Sequence, residues 1–159
     1  MPAFVFHPMD EESAREIVAW RYDGPYEVYD PGADGEDEAL RTLLDPANAY
    51  FAVRDEQGML VAYWGFGPDA RVPGGDYSAD ALDVGGGIRP GLTGRGLGLS
   101  LLRAALDFAR ERFHPAAFRA TVAEWNARAL VVCGRAGFVV ERRFAAVGGA
   151  SFVVLRAPA

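Results

Sequence analysis

GGGIRPGLTGRGLGLSLLRAALDFARERF, residues 85–113, decides the fold. It opens with three glycines that end the extended run ALDVGGGI (81–88), passes through a second glycine-rich loop, and closes on Leu97, Leu101, Ala104, Ala105 and Phe108 at helical spacing. The reading is strand, glycine loop, helix 97–113. Glycines lack Cβ, so the N–H groups of such a loop and of the first helical turn can close on an anion, and the helix start adds partial positive charge. A diphosphate fits this chemistry, with Arg89 and Arg95 flanking the loop to meet a further phosphate. A mononucleotide P-loop ends in Gly-Lys-Ser/Thr, and the chain has no lysine. The dinucleotide fingerprint fails too: Gly94, Gly96 and Gly98 make GxGxG, and Asp107 lies inside the helix instead of ending a second strand.

Working outward, AFVFHP (3–8) reads as a first strand and DEESAREIVAWR (10–21) as a helix with acids in its first turn. A loop rich in Gly, Pro and acids follows (22–40), overlapping a short helix from Glu36 to Leu44. AYFAVRD (49–55) and MLVAYWGFG (59–67) form a hairpin around a Gly-containing turn. Beyond the central segment, AAFRATVAEW (116–125) is a strand and NARALVVCGRAG (126–137) a helix capped by Asn126 with Gly137 at its end. FVVERRFAAV (138–147) and ASFVVLRA (150–157) pair around Gly148 and Gly149. The order is a mixed α/β domain with a largely antiparallel start and at least one parallel crossover. One domain over 1–159 is expected, and 150–157 is the strand expected to lie at an edge, where it could join monomers into a homodimer.

Net charge is −6, which argues against a general nucleic-acid binder, and no apolar run reaches the ~20 residues of a membrane span. No membrane partner and a cytoplasmic location are the expectations. Residues 1–83 carry net −13 and residues 84–159 net +7, so the halves are electrostatically opposite. A single cysteine, Cys133, forms no intrachain disulfide, and with His7 and His114 it has no metal-site spacing. The histidines, Trp20 and Trp125 read as structural.

GIRPGLTGRGLGLSLLRAALDFAR resembles the acyl-CoA-binding segment of the GNAT superfamily of N-acyltransferases, whose pattern is Arg/Gln-x-x-Gly-x-Gly/Ala after a strand. WNARALVVCGRAGF resembles its second segment: an Asn at a helix start, a small residue three later, and a closing Gly-Phe. Thr93 stands at the family's Arg/Gln position and Cys133 at its frequent Tyr. The resemblance implies a mixed, mostly antiparallel sheet with a splayed central strand pair and helices on both faces. It implies transfer of an acyl group, most simply acetyl, from acetyl-CoA to the primary amine of a small molecule or peptide through a tetrahedral intermediate.

The roles it implies are these. Gly87 and Ile88 lie on the splayed strand, with the Ile88 N–H donating to the thioester carbonyl. Arg89, Thr93, Gly94, Arg95, Gly96, Leu97 and Gly98 hold the cofactor, joined by Asn126, which contacts the pantetheine arm, caps its helix, or does both. Asp83, just before the glycines, is the expected base that deprotonates the amine, and Glu124 is the runner-up. Tyr26 and Tyr29, with acids beside them, are the expected acceptor contacts. Cys133 is expected to pack along the CoA tunnel, with proton donation to the leaving thiolate as the sharper alternative and an acyl-cysteine route as the remotest. The departures at Thr93 and Cys133 leave a second class open, an acyl-CoA sensor that binds without turnover.

Overall fold

The computed structural model describes residues 3–159. In chain order it contains β1 (Val5–Pro8), α1 (Glu11–Val18), α2 (Glu36–Leu44), β2 (Tyr50–Arg54), β3 (Leu60–Gly65), β4 (Leu82–Asp83), β5 (Gly85–Ile88), α3 (Leu97–Phe113), β6 (Ala117–Ala123), α4 (Ala127–Arg135), β7 (Val139–Ala145) and β8 (Ser151–Pro158). Three short 3-10 turns, Gly24–Tyr29, Pro46–Asn48 and Pro68–Ala70, each carry Pro at their start, where a missing N–H costs nothing.

The strands form two sheets, β1-β2-β3-β5 and β4-β6-β8-β7. Every pairing in the first is antiparallel; in the second, β4 lies parallel to β6 and the rest are antiparallel. The parallel pair requires a crossover, and α3 supplies it. β4 and β5 are one passage of chain that changes partners at Val84. The Val84 N–H still donates to Arg119 O at 2.9 Å, and from Gly85 onward the chain pairs with β3. β5 and β6 therefore diverge, and a seam opens between the sheets.

The main core fills the space under α3, joining Leu101, Ala105 and Leu106 to Val53, Trp64, Phe118 and Leu155. A second cluster seats Ala14, Ile17, Trp20 and Leu43 of the α1–α2 side on Ala52 and Leu60. Helices thus cover both faces of the first sheet. Residues 62 and 64 of β3 turn toward α3 while Tyr63 turns toward α1, following the two-residue period of a strand.

Two expectations need correction. The strand 150–157 is not an edge: β8 lies between β6 and β7, and β7 is the outer strand. That edge carries Glu141, Arg142 and Arg143 and a register shift between Val140 and Arg142, features that discourage further strand pairing. Trp125 is 47% exposed and not core, whereas Trp20 is buried as expected. Among the described residues no helix is long and apolar enough to cross a membrane.

Candidate active site

The three glycines of β5 answer to the side chains of β3. A Cβ on Gly86 would meet the Tyr63 carbonyl and lie 2.7 Å from Trp64 Cδ2; one on Gly87 would lie 2.7 Å from Tyr63 Cε1. The rings of Tyr63 and Trp64 press on β5 from opposite faces, so neither position has room for a side chain.

That strand presents its free edge to the seam. The Arg89 N–H donates to Val61 O at 2.8 Å, and Gly87 pairs with Tyr63 two residues earlier. In an antiparallel ladder alternate residues share this orientation, so the N–H groups of Gly86 and Ile88 point away from β3, roughly 7 Å apart. Both residues line a cleft of about 600 Å³ that follows the seam between β5, β6 and α4. The Ile88 carbonyl, on the same edge, accepts from the Tyr22 hydroxyl at 2.7 Å.

At one end the cleft meets the glycine loop. Thr93, Gly94, Gly96 and Gly98 line it, and Gly94 and Gly96 have φ of +76° and +78°, where a side chain would be strained. Gly96 caps α3 without any side-chain hydrogen bond, which leaves the first-turn N–H groups available to an anion. Leu97 opens that turn while its side chain packs into the core. Of the flanking arginines, Arg89 is engaged away from the loop. Arg89 donates to Leu60 O at 2.7 Å, pairs with Glu16 and lies 5.3 Å from the Trp20 ring, so it braces α1 against β3. Arg95 is exposed and lies outside the cleft lining. The cations of the cleft are Arg128 and Arg135 of α4, which the sequence reading missed. Nη1 of Arg128 would lie 3.8 Å from a Cβ on Gly94. Only the position of Arg128 two residues past the helix cap hinted that it could face the loop.

Asn126 does two things at once. Its Oδ1 accepts from the Ala129 N–H at 3.1 Å, the cap expected, and its Nδ2 donates to the Tyr29 hydroxyl at 3.2 Å. Tyr29 stacks on Trp125 at 5.7 Å, Tyr26 leans on the same indole at 5.5 Å, and Arg128 covers the Tyr26 ring at 4.2 Å. The Gly24–Tyr29 turn is thereby latched to the start of α4. Tyr26 and Tyr29 do reach the cleft, but these contacts already occupy their rings.

The expected bases are elsewhere. Asp83 is 3% exposed and faces Arg119, its register partner on β6: Arg119 Nε to Oδ1 is 2.6 Å and Nη2 to Oδ2 is 2.8 Å. Arg71 Nε adds a third contact at 2.7 Å. Both carboxylate oxygens are consumed by guanidinium groups, and Asp83 lies outside the cleft lining. Its place on β4, before the partner switch at Val84, puts it in the β6 ladder and not at the seam. Glu124 is exposed and pairs with Arg143 at 3.2 Å. No carboxylate lines the cleft among the described residues. Cys133 does line it, 8% exposed, and burial pushes its thiol up to about 11.

A splayed sheet whose seam runs from a bare strand edge to an uncapped, glycine-cradled helix start is the architecture of an acyl-CoA-dependent transferase. The acetyltransferase (GNAT) domain matches residues 4–139, and the chain belongs to that family. Over 70 residues it is 40% identical to the N-alpha-acetyltransferase RimI of Mycobacterium tuberculosis, a match spanning 44% of this chain and 41% of that protein. The fold is shared with a spermidine N-acetyltransferase SpeG chimera from Vibrio cholerae and hSSAT, at 18% identity and TM-score 0.74 over 98% of this chain and 94% of that one. A GNAT-family acetyltransferase from Bacillus anthracis is similar at 14% identity and TM-score 0.73, with the same coverage.

Proposed function

We propose that the chain transfers an acetyl group from acetyl-CoA to a primary amine by direct attack at the seam, and that the edge of β5 carries the chemistry. Acetyl-CoA supplies an acyl group already activated as a thioester. The loop Thr93–Gly98 and the first turn of α3, with Arg128 beside Gly94, suit its diphosphate. The loop follows Ile88 in the chain, so a ligand anchored there and running back along β5 meets Ile88 before Gly86. The Ile88 N–H accordingly serves the pantetheine arm, and the Gly86 N–H receives the thioester oxygen as it gains negative charge. This moves the thioester contact from Ile88, the residue expected from sequence, to Gly86.

Cys133 fits the packing role better than the acid role. Its thiol, pushed up to about 11 by burial, is a weaker acid than an ordinary thiol near ~8.5, so proton donation to the departing thiolate runs uphill. Titration calorimetry with acetyl-CoA, followed by a thiol-release assay across an amine panel, tests the reading. Saturable binding with release for at least one amine is expected. Binding without release from any amine would instead support the acyl-CoA sensor.

A further inference from the structure

Four tyrosines line the cleft, and three are engaged. Tyr22 donates to Ile88 O, Tyr29 accepts from Asn126, and the Tyr26 ring lies under Arg128. The Tyr63 hydroxyl has no hydrogen-bond partner among the described residues, although its ring is held against Trp20 and Tyr50, each at 6.0 Å. That oxygen would lie 2.8 Å from a Cβ on Gly87, the residue between the two seam-facing amides. Burial, with the nearby Asp69 charge adding to it, pushes the phenol up to about 12, so it stays neutral and can both accept and donate a hydrogen bond.

From this placement we propose that Tyr63 receives the attacking amine, and that the acceptor is a weakly basic amine of the α-amino type, not a polyamine. The inference rests on the acetyl-transfer reading above. The phenol oxygen accepts one N–H of the amine, which leaves the nitrogen lone pair free to attack. The C–N bond forms and the C–S bond breaks; the nitrogen releases its proton to solvent and the leaving thiolate takes one up. The charged side chains of the lining are Arg128, given to the diphosphate, and Arg135, so the lining offers a polycation no counter-charge. The lining holds no carboxylate, and the one that acts on the phenol, Asp69, is exposed and taken up by the Tyr50 hydroxyl, so the amine has to arrive neutral. At pH 7.5 roughly a third of α-amino groups (pKa ~7.8) are neutral, against about 0.1% of alkylamines with pKa ~10.4.

The test compares the full chain with Tyr63→Phe on a peptide with a free N-terminus, on Nα-acetyl-lysine amide and on spermidine. The peptide should lead both others by about a hundredfold or more in kcat/KM, the scale set by neutral fractions of roughly a third and about 0.1%. Tyr63→Phe should raise the peptide's KM or lower its kcat/KM by about five- to tenfold, as expected for one lost hydrogen bond, with the acetyl-CoA Kd and Tm unchanged. Preference for spermidine overturns the proposal, as does an unchanged peptide kcat/KM in Tyr63→Phe. So does an acetyl-CoA Kd that weakens in parallel, which would mark a packing role. Failure of every amine to release thiol while acetyl-CoA binds overturns the transfer reading, and this one with it.

Discussion

Asp83 and Cys133 show how far a residue's role depends on what surrounds it. Asp83 stands where a base was expected, yet it neutralises Arg119, which is 1% exposed. Asp83→Asn leaves that guanidinium buried without its counter-charge, a loss of about 3–5 kcal/mol and, for a chain of this size, a Tm lower by roughly 10–15 °C. Thermal melting gives the Tm, and kcat measured well below it should change little per folded molecule; a large kcat loss with normal stability would restore Asp83 as the base. Cys133→Ala should hold turnover within a few-fold. It should also alter the pH response of stability. The folded thiol stays neutral up to about 11 while the unfolded one ionises near ~8.5, so its contribution is present below ~8.5 and is lost as pH rises toward 11. Urea unfolding at pH 8 and pH 10 should show a smaller decline in Cys133→Ala than in the parent chain.

At the level of elements, the glycines of β5 make the sharpest demand. Gly86→Ala forces a methyl against the Tyr63 carbonyl and Trp64 Cδ2, and backbone cannot yield as a flexible side chain can. Weakening of acetyl-CoA binding by more than about tenfold is expected by calorimetry, together with a lower Tm from the overpacked strand. Gly134→Ala in α4, where a Cβ meets nothing within 4 Å, is the control and should be neutral or slightly stabilising. Elements with strong local signals were legible: the apolar period of 97–113 and the acids opening 36–44 gave α3 and α2 with their observed bounds. The Gly24–Tyr29 turn was not, because Trp125, Asn126 and Arg128, about a hundred residues away, hold it in place. Nor was the break at Val84, since a run such as ALDVGGGI carries no mark of which neighbour each half will pair with.

For the molecule as a whole, the charge division between the halves was real in sequence but misleading about the site. The acids beside Tyr26 and Tyr29 were expected to flank the acceptor; among the described residues the cleft lining holds none of them, and its charged side chains come from α4. The glycine loop, the end proposed for the diphosphate, was legible as a loop because it is built of contiguous backbone. The end proposed for the acceptor was not, because Tyr22 and Tyr63 come from separate segments and meet in the cleft only once the sheet has split. The side-to-side alternation of β3 carries a last consequence. Trp64 and Ile88 turn toward α3, Tyr63 toward α1, so the seam is flanked by different residues on its two faces. On the proposed geometry each reactant has its own entrance, neither must depart before the other arrives, and steady-state lines drawn at several fixed concentrations of one against the other intersect, as in a ternary complex, and do not run parallel.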